Sequence, residues 1–437
     1  MRPSRRWRRR LRTPPARLPA FASRPYRVFL TGAFVTNVGG WMQTTALGWL
    51  VLRLTDSPAM LGVASFAGSA PTLLLSLYAG VLADRVDRRR LLLGTQLAVG
   101  GLAVLLAVLG TTGHIAFWQI VLIAFAAGCA QAVGMPTFQA LMPTLVAREA
   151  LGNAIALNSA QFNLSRIIGP AIAGVIVGLV GESANFWLNA LGTTAFVFAL
   201  RSIRLPAQDA LVRAEAGLWS NLLDGLHYVV SQRVLLALLL LAAAPALFVL
   251  PYLALMPVFA RDVLGIGAAG LGLLTAAIGV GALAGAVMVA LFRPPGASAR
   301  TMLVGLVAMA GTLAVFTVSR DVVVSCIALA GLGASQVAYY TTTNTLVQLL
   351  SPARYRGRIL SIYVLTSLGL FPLGSLVAGA VTQSIGAPPD AARRGRPDAG
   401  WDGRRARLVP AAATPAHRPD RGAGGLKPSG APMARMG

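Results

Sequence analysis

The chain has 437 residues, of which 56% are hydrophobic and only 12% are charged, and its mean hydropathy is +0.68. An average soluble domain carries about 25% charged residues, so this composition excludes an ordinary water-soluble enzyme. Most of the formal net charge of +24 comes from the two ends, because residues 1–27 hold ten Arg and residues 387–437 hold ten Lys and Arg. No basic patch is interleaved with aromatic residues, and we therefore expect no nucleic-acid partner.

Eleven apolar segments of about 19 to 28 residues follow one another through the middle of the chain, each long enough to cross a hydrocarbon core of about 30 Å as a helix. The predicted spans are 28–52, 58–83, 91–110, 114–137, 153–180, 183–203, 234–260, 265–292, 301–319, 322–348 and 359–385. The first is too long for the core of a signal peptide. The sequence therefore predicts an all-α, multi-pass membrane protein in contact with the lipid bilayer.

The arginines of the connecting loops set the expected orientation. Loops on the N-terminal side carry 14 Arg, whereas loops on the opposite side carry three. Cytoplasmic loops are the ones enriched in Lys and Arg, so the N-terminus is predicted to be cytoplasmic. We expect a monomer in a bacterial-type cytoplasmic (inner) membrane.

Catalytic and cofactor motifs are missing from the sequence. Cys129 and Cys326 lie in apolar runs, and the three histidines lack the spacing of metal ligands, which excludes a disulfide framework or a zinc site. No nucleotide-binding Gly-Lys-Ser/Thr loop, Ser-His-Asp set or dinucleotide fingerprint occurs. We therefore expect neither an enzyme nor an ATP-driven pump, and no cofactor or metal.

The longest loop on the predicted cytoplasmic side separates the sixth and seventh spans. Within it Leu218, Leu222, Leu226 and Val230 recur every four residues. This spacing indicates an amphipathic helix on the membrane surface or, as an open alternative, an extension of the seventh span.

A shift of 205 residues aligns equivalent points of equivalent spans in the two halves of the chain. The matched pairs are Gly62 and Gly267, Gly80 and Gly285, Gly128 and Gly333, Gln131 and Gln336, Gly169 and Gly374, and Gly174 and Gly379. Six matches at one offset favour a parallel duplication of a six-span unit.

The duplication also predicts a twelfth span at 388–408, but this stretch holds nine charged residues. Because each central Arg or Asp costs about 2.5–3.5 kcal/mol in a span, we interpret the twelfth span as missing and the tail as disordered. A shift of the reading frame is the explanation that we favour for this tail. The predicted organisation is a basic tail at 1–27, a six-helix bundle at 28–203, a central loop at 204–233, a five-span bundle at 234–386 and a tail at 387–437.

Between the second and third spans the chain reads Gly80-Val-Leu-Ala-Asp84-Arg85-Val-Asp87-Arg88-Arg89-Arg90. This stretch resembles the cytoplasmic loop signature of the major facilitator superfamily, with Asp87 in place of a glycine. The resemblance implies two related six-helix bundles and a cytoplasmic gate, in which Asp84 docks near the basic start of the eleventh span. The expected gating residues are Gly80, Asp84, Arg85, Arg88, Arg89, Arg354, Arg356 and Arg358. A loop that is merely basic is the alternative.

The fifth span carries Arg166, and an arginine inside a span is a functional hypothesis by default because of its cost. Asn163 shares its helix face, while Gly169, Pro170 and Gly174 predict a kink and a close-packing surface. Together with the preceding stretch 145–153, this span is similar to the enterobactin-exporter and macrolide-efflux subgroup of the superfamily. Alternatively, Arg166 is structural and is capped by neighbouring carbonyl groups.

The resemblance implies that the first, fourth, seventh and tenth spans line a central cavity. The expected substrate or ion path consists of Asn37, Gln43, Gln131, Asn163, Arg166, Gln336, Tyr339, Tyr340 and Asn344. Amide and phenol groups with one Arg and no acid favour neutral or anionic solutes over cations. No Asp or Glu lies in the middle of a predicted span, so the ion-coupling residue is unassigned.

The function predicted from these features is secondary active export of small amphipathic organic molecules by alternating access, driven by an ion gradient. Two alternatives stay open: an importer of the same fold, and a truncated, transport-inactive remnant.

Overall fold

The computed structural model describes residues 18–203, 218–292, 298–352 and 354–385, and within these ranges the chain is helical without a strand. After a short 3-10 turn, Pro19–Ala22, the first half forms six helices. These are α1 (Arg24–Thr55), α2 (Pro58–Arg85), α3 (Arg88–Thr111), α4 (Phe117–Leu141), α5 (Leu151–Val180) and α6 (Glu182–Ser202).

The second half begins with a helix in the central loop, followed by a bundle that includes two interrupted spans. Its helices are α7 (Leu218–Ser231), α8 (Arg233–Phe248), α9 (Tyr252–Val258) with a π-helical turn Phe259–Val263, α10 (Gly267–Phe292), α11 (Ala299–Val318), α12 (Val322–Leu350), α13 (Arg356–Leu368) and α14 (Phe371–Ile385). The predicted seventh span corresponds to α8 and α9, and the eleventh to α13 and α14.

Local sequence explains both interruptions. Pro251 lacks an amide hydrogen and fits the turn between α8 and α9, while Leu250 N bonds back to the Pro245 oxygen. Gly369 and Pro372 flank the turn between α13 and α14. The sequence analysis predicted each of these spans as one continuous helix, and at these two turns that prediction is wrong.

Nine helical segments of the described residues are long and apolar enough to cross a membrane. The two predicted spans outside this group, α1 and α6, are helices whose polar side chains face each other. Asn189 donates to the Gln43 side-chain oxygen at 2.8 Å, and the hydroxyls of Thr36 and Thr193 are 3.2 Å apart. Because these polar groups satisfy one another between the helices, mean hydropathy understates how well α1 and α6 fit a bundle interior. The predicted twelfth span and tail fall on 386–437, outside the described residues, as do residues 1–17.

The connector helix α7 is separated from α8 by Gln232 alone and packs on the start of α13. Tyr228 stacks on Tyr355 with ring centroids 4.5 Å apart, and Gly225 lies against Arg358. On the same helix, Leu226 and Val230 remain exposed. The helix is therefore distinct from the seventh span and presents an apolar face away from α13.

Duplicated glycines make equivalent contacts in the two halves. Gly128 of α4 meets the Gly68 carbonyl of α2, and Gly333 of α12 meets the Ile278 carbonyl of α10. A side chain at either glycine would collide with backbone, so both pairs of helices require glycine to pack this closely.

The loop between α1 and α2 lies at one end of the bundle, called here the Asp56 end, and the loop between α2 and α3 lies at the other, the Asp87 end. The two halves cross closely at the Asp56 end, where α2 packs on α14 and α5 packs on α10. A Cβ atom at Gly174 would lie 2.6 Å from the Ala268 oxygen, and one at Gly379 would lie 2.9 Å from the Pro58 oxygen. The same duplicated position therefore forms both inter-half crossings.

This geometry predicts that Gly174→Ala destabilises the protein by about 1–3 kcal/mol, the usual cost of overpacking. The matched control is Gly178→Ala, one turn further along α5, because a Cβ atom there meets nothing within 4 Å. We expect the thermal unfolding midpoint in detergent to fall for Gly174→Ala and to stay the same or rise slightly for Gly178→Ala. Equal midpoints for the two variants would contradict the proposed importance of the crossing.

Candidate functional site

An ionic cluster joins the two halves at the Asp56 end. Arg261, in the π-helical turn after α9, lies 2.6 Å from an Asp56 carboxylate oxygen and 2.6 Å from Asp262. Its guanidinium also donates to the Leu52 carbonyl at 3.4 Å. Asp56 has a left-handed backbone with φ of 48°, a conformation that aspartate adopts more readily than most residues. The α1–α2 turn and the end of the seventh span are therefore tied together.

A second ion pair at this end stays within the first half. Arg53 Nε lies 2.8 Å from Glu182 Oε1, and the Glu182 side chain is largely buried. This pair joins α1 to the start of α6, so its integrity does not depend on how the halves are arranged.

The predicted gating arginines of the first half bind carbonyl groups of their own bundle. Arg89 donates to the Leu200 and Arg201 carbonyls at 3.1 and 2.7 Å, and Arg88 donates to the Ala140 carbonyl at 3.3 Å. Cationic side chains at the last carbonyls of a helix satisfy groups that the helix cannot pair itself. These two arginines therefore hold the ends of α4 and α6 at the Asp87 end.

The basic start of α13 is occupied by the connector helix. Arg358 pairs with Asp224 of α7 at 3.2 Å, and the guanidinium groups of Arg354 and Arg358 lie 5.5 and 5.7 Å from the centre of the Tyr355 ring. Arg356 is exposed. The backbone of Gly80, Asp84 and Arg85 belongs to α2, but their side chains lie outside the described part of the structure. Docking of Asp84 on these arginines stays a prediction.

Two predicted path residues of α1 bond to neighbouring helices of the first half. Asn37 donates to the Gln161 side-chain oxygen at 3.3 Å, and Gln43 accepts the bond from Asn189. On α5, Asn163 donates to the Ser159 carbonyl of its own helix. Gln131 of α4 is exposed.

The predicted path residues of α12 differ sharply from one another. Tyr339 is fully buried and donates to the Leu241 carbonyl of α8 at 2.6 Å, which gives it a packing function in this conformation. The hydroxyl of Tyr340 and the Nε2 atom of Gln336 are buried, and neither has a hydrogen-bond partner among the described residues. Asn344 accepts a short hydrogen bond from Gln348.

Arg166 lies near the middle of α5, and its side chain is partly buried. Within the described residues its guanidinium has neither an ion pair nor a hydrogen bond, and the phenol of Tyr252 lies within electrostatic range of it. Nearby, Gly169 and Pro170 pack against α1 and α10, where a Cβ atom at Gly169 would lie 2.6 Å from Trp41 Cβ. Gly169 and Pro170 therefore bring α1 and α10 against α5 about one turn along the helix from the unpaired Arg166.

The sequence analysis missed Gln161, Asn189, Tyr252 and Arg261. Gln161 could have been found as an amide residue in the fifth span, which already contained candidates, and Asn189 as an amide residue inside the sixth span, which contained none. Tyr252 sits beside Pro251 in an otherwise apolar run, which reads as a membrane-interface residue from sequence alone. The sequence analysis counted Arg261 only as a loop charge, and the position of Arg261 in the sequence does not indicate Asp56 as its partner.

The stretch 145–153, one basis of the subgroup resemblance, receives the N-terminal segment. Ser23 donates to the Leu145 carbonyl at 2.6 Å, and Asn153 accepts a hydrogen bond from the Ala20 amide at 3.2 Å. Tyr26, at the start of α1, donates to the Ala154 carbonyl at 2.8 Å. This stretch therefore has a structural function in anchoring the entry to α1.

Comparison with known proteins places this architecture among transporters. The family model described as transmembrane secretion effector matches residues 16–391. The chain is 26% identical over 377 residues to the multidrug efflux pump Tap of Mycolicibacterium fortuitum, covering 83% of this chain and 90% of that protein. It is 29% identical over 361 residues to the staphyloferrin A transporter of Staphylococcus aureus, covering 80% and 88%. A crystal structure of a bacterial homologue of the human lysosomal transporter Spinster shares the fold, with a TM-score of 0.67, 14% identity and coverage of 85% and 86%.

The inter-half ion pair yields a prediction with a built-in control. Asp56→Asn removes a pair between the halves, whereas Glu182→Gln removes a pair within one half. Exposed pairs contribute about 0.2–1 kcal/mol, so Asp56→Asn should raise the population opened at the Asp56 end by about 1.4- to fivefold.

The reporter is Ser375→Cys, a buried position beside Gly62 at the crossing, in a chain with Cys129 and Cys326 replaced by Ser. We expect a maleimide to label this cysteine faster in the Asp56→Asn background and at an unchanged rate in the Glu182→Gln background. Equal acceleration by both substitutions would mean that loss of stability, rather than opening, is being measured.

Proposed function

Because the chain belongs to the transmembrane secretion effector family of the major facilitator superfamily, we propose that it exports small amphipathic organic molecules by alternating access, driven by an ion gradient. The relatives named as efflux pumps support this direction of transport. The staphyloferrin A transporter extends the range of candidate substrates to siderophores.

The observation that carries the proposal is the one-sided contact between the halves. The inter-half contacts described above involve the Asp56 end or the middle of the helices: the Asp56–Arg261 pair, the Gly62 and Gly379 crossing, and the Gly174 crossing. At the Asp87 end, Arg89 and Arg358 bind partners within their own halves. Among the described residues, the inter-half contacts named above therefore lie at the Asp56 end and in the middle of the helices, which supports a transporter that is closed at the Asp56 end and opens at the Asp87 end.

The arginine distribution supports a cytoplasmic Asp87 end and hence a cytoplasmic N-terminus. The conformation then corresponds to a state that loads solute from the cytoplasm, as an exporter requires. We count α1 and α6 as spans in addition to the nine apolar segments of the described residues, which gives eleven spans.

The candidate path runs between the halves past Asn37, Gln43, Gln131, Asn163 and Asn344, together with the buried polar residues of α12. A solute that offers both a donor and an acceptor can replace the partner in a paired amide such as Asn37 with Gln161, because the hydrogen bond that is lost is made again to the solute. Such paired amides can therefore serve a passing solute in the same geometry in which they now bond to each other.

Inside-out membrane vesicles from bacteria that overproduce the chain provide the test. Staphyloferrin A and three fluorescent dyes, one neutral, one anionic and one cationic, serve as probes. We expect respiration-driven accumulation of at least one probe, abolished by an uncoupler and lacking in vesicles without the protein. Accumulation only in right-side-out vesicles would favour an importer, and no accumulation in either orientation despite abundant protein would favour a transport-inactive remnant.

The gating proposal predicts a specific loss at Asp84. Asp84→Asn removes the charge that would dock on the arginines at the start of α13, so we expect uncoupler-sensitive transport to fall at least tenfold at normal membrane abundance. The matched control is Asp87→Asn, three residues on, because Asp87 caps α3 by accepting from the Arg90 amide at 2.7 Å. Loss of that cap should cost about 1 kcal/mol of stability and leave transport within about twofold. Wild-type rates in a well-inserted Asp84→Asn variant would disprove the gating assignment.

A further inference from the structure

We propose that Arg166, Tyr252, Gln336 and Tyr340 form a binding subsite for an organic carboxylate, so that this transporter selects anionic substrates. The inference rests on the proposed function and narrows its substrate class.

The first observation is a concentration of unpartnered donors. Four buried side-chain atoms of the second half make no hydrogen bond of ordinary geometry among the described residues: Tyr252 Oη, Gln336 Nε2, Tyr340 Oη and Ser367 Oγ. The Tyr252 side chain lies next to that of Gln336, and the Ser367 side chain lies next to that of Tyr363. Buried polar groups are nearly always paired, and each one left unpaired costs about 1–3 kcal/mol. A cluster of such groups in one region indicates that a partner is supplied by something that binds there.

The second observation is where these groups lie relative to Arg166. The Tyr252 side chain is within electrostatic range of Arg166 and lies beside the Gln336 side chain, and Tyr340 is within range of Tyr252. Gly279 of α10 lies against the backbone of Arg166, with a Cβ position 3.3 Å from the Arg166 oxygen. The crossing of α5 and α10 therefore holds the backbone of Arg166 against α10, and the Arg166 guanidinium lies within electrostatic range of the Tyr252 phenol of α9.

The chemistry of the set is uniform. A guanidinium, an amide NH₂ and two phenol hydroxyls can all donate, and the acidic side chains that the structure describes lie at helix ends, in loops or on the connector helix α7. An unpaired arginine in the interior of a span is costly. A carboxylate would offset that cost, because its two oxygens accept the paired donors of a guanidinium in a planar, bidentate geometry.

Tyr339 and Tyr340 are adjacent on α12, but only the hydroxyl of Tyr339 is paired. Tyr339 donates to the Leu241 carbonyl, and Tyr363 of α13 donates to the Tyr340 carbonyl at 3.3 Å. Backbone acceptors are thus used by the neighbouring phenols, while the hydroxyl of Tyr340 remains unpaired. Packing requirements account for Tyr339 and Tyr363 but leave Tyr340 unexplained.

The third observation is a break in the internal repeat. At the 205-residue offset Tyr252 corresponds to Leu47, Tyr340 to Met135 and Ser367 to Phe162, whereas Arg166 corresponds to Phe371. Gln336 alone is matched, by Gln131. The first half therefore supplies a cation where the second half is apolar, and the second half supplies hydroxyls where the first half is apolar. A site built from both halves, with Arg166, Tyr252 and Tyr340 at non-duplicated positions, is asymmetric, as recognition of one charged end of a molecule requires.

Binding to the purified full chain in detergent tests the inference with a matched pair of probes, 2-naphthylacetate and the neutral 2-naphthylacetamide. Isothermal titration with a protein-free detergent blank gives both affinities. We expect the carboxylate to bind at least tenfold more tightly than the amide. Arg166→Gln should abolish this preference, and Arg166→Lys should weaken it because the planar donor pair is lost.

Misfolding of an arginine variant would also abolish the preference for the carboxylate. Tyr252→Phe is therefore a second, independent test, because it removes one hydroxyl and preserves the ring. It should reduce carboxylate affinity about threefold or more with little change for the amide. Asn185→Leu is the control, since Asn185 is also buried and unpartnered but lies near the start of α6 at the Asp56 end. It should leave the preference intact.

Equal affinity for the two probes, no binding of either, or a preference that survives Arg166→Gln in a folded variant would overturn the inference. Binding in detergent requires neither an ion gradient nor a direction of transport. Failure of export in vesicles with retained carboxylate preference would therefore count against the proposed function alone, and export without that preference would count against the subsite alone.

Discussion

The arrangement of the two halves depends on two close helix crossings, α5 on α10 and α14 on α2, which use the same duplicated glycine position. At Gly174 and Gly379 the approach leaves no room for a Cβ atom, so the backbones themselves form the interface. In lipid, where apolar side chains gain little from leaving one apolar medium for another, such backbone proximity and its dispersion contacts are the main source of helix association. The weak Asp56–Arg261 pair then acts on an interface already shaped by packing, which suits the opening and closing of this end that alternating access, as proposed, requires.

Most of the fold could be predicted because bilayer physics restricts the choices. Backbone polar groups must be paired inside the hydrocarbon core, so apolar runs of sufficient length become helices, and α2 and α10 begin and end within a few residues of the predicted limits. The turns near Pro251 and Gly369 could not be predicted with the same certainty, since proline and glycine within spans are tolerated whenever neighbouring helices satisfy the freed groups. Which residues do so is a property of the assembled bundle. The polar faces of α1 and α6 illustrate the same limit, because their pairing is invisible to a hydropathy average.

The candidate site was predictable only where a residue violated a rule strongly. Arg166 stood out because a charge inside a span is expensive, whereas Tyr252 breaks no rule until its hydroxyl is found buried and unpaired. Gln43 and Asn37 looked equivalent to Gln336 in sequence, yet they bond to Asn189 and Gln161 while Gln336 Nε2 has no partner among the described residues. Polarity in a span therefore identifies candidates, and only the three-dimensional arrangement separates side chains that hold the bundle together from those left available to a ligand.

Duplicated positions are used for helix packing, and the proposed recognition of substrate uses positions that differ between the two halves. A position retained in both copies, Gly174 and Gly379, forms the crossings between the halves on both sides, so halves that rock against each other as proposed have the same contact geometry on both sides. Positions that differ between the copies are free of that requirement. Arg166 opposite Phe371, and Tyr340 opposite Met135, place a cation and a hydroxyl where symmetry would have placed apolar groups. With the proposed subsite, the duplicated glycines keep the helix contacts of both halves, while a few unduplicated side chains in the middle of the helices set the substrate preference.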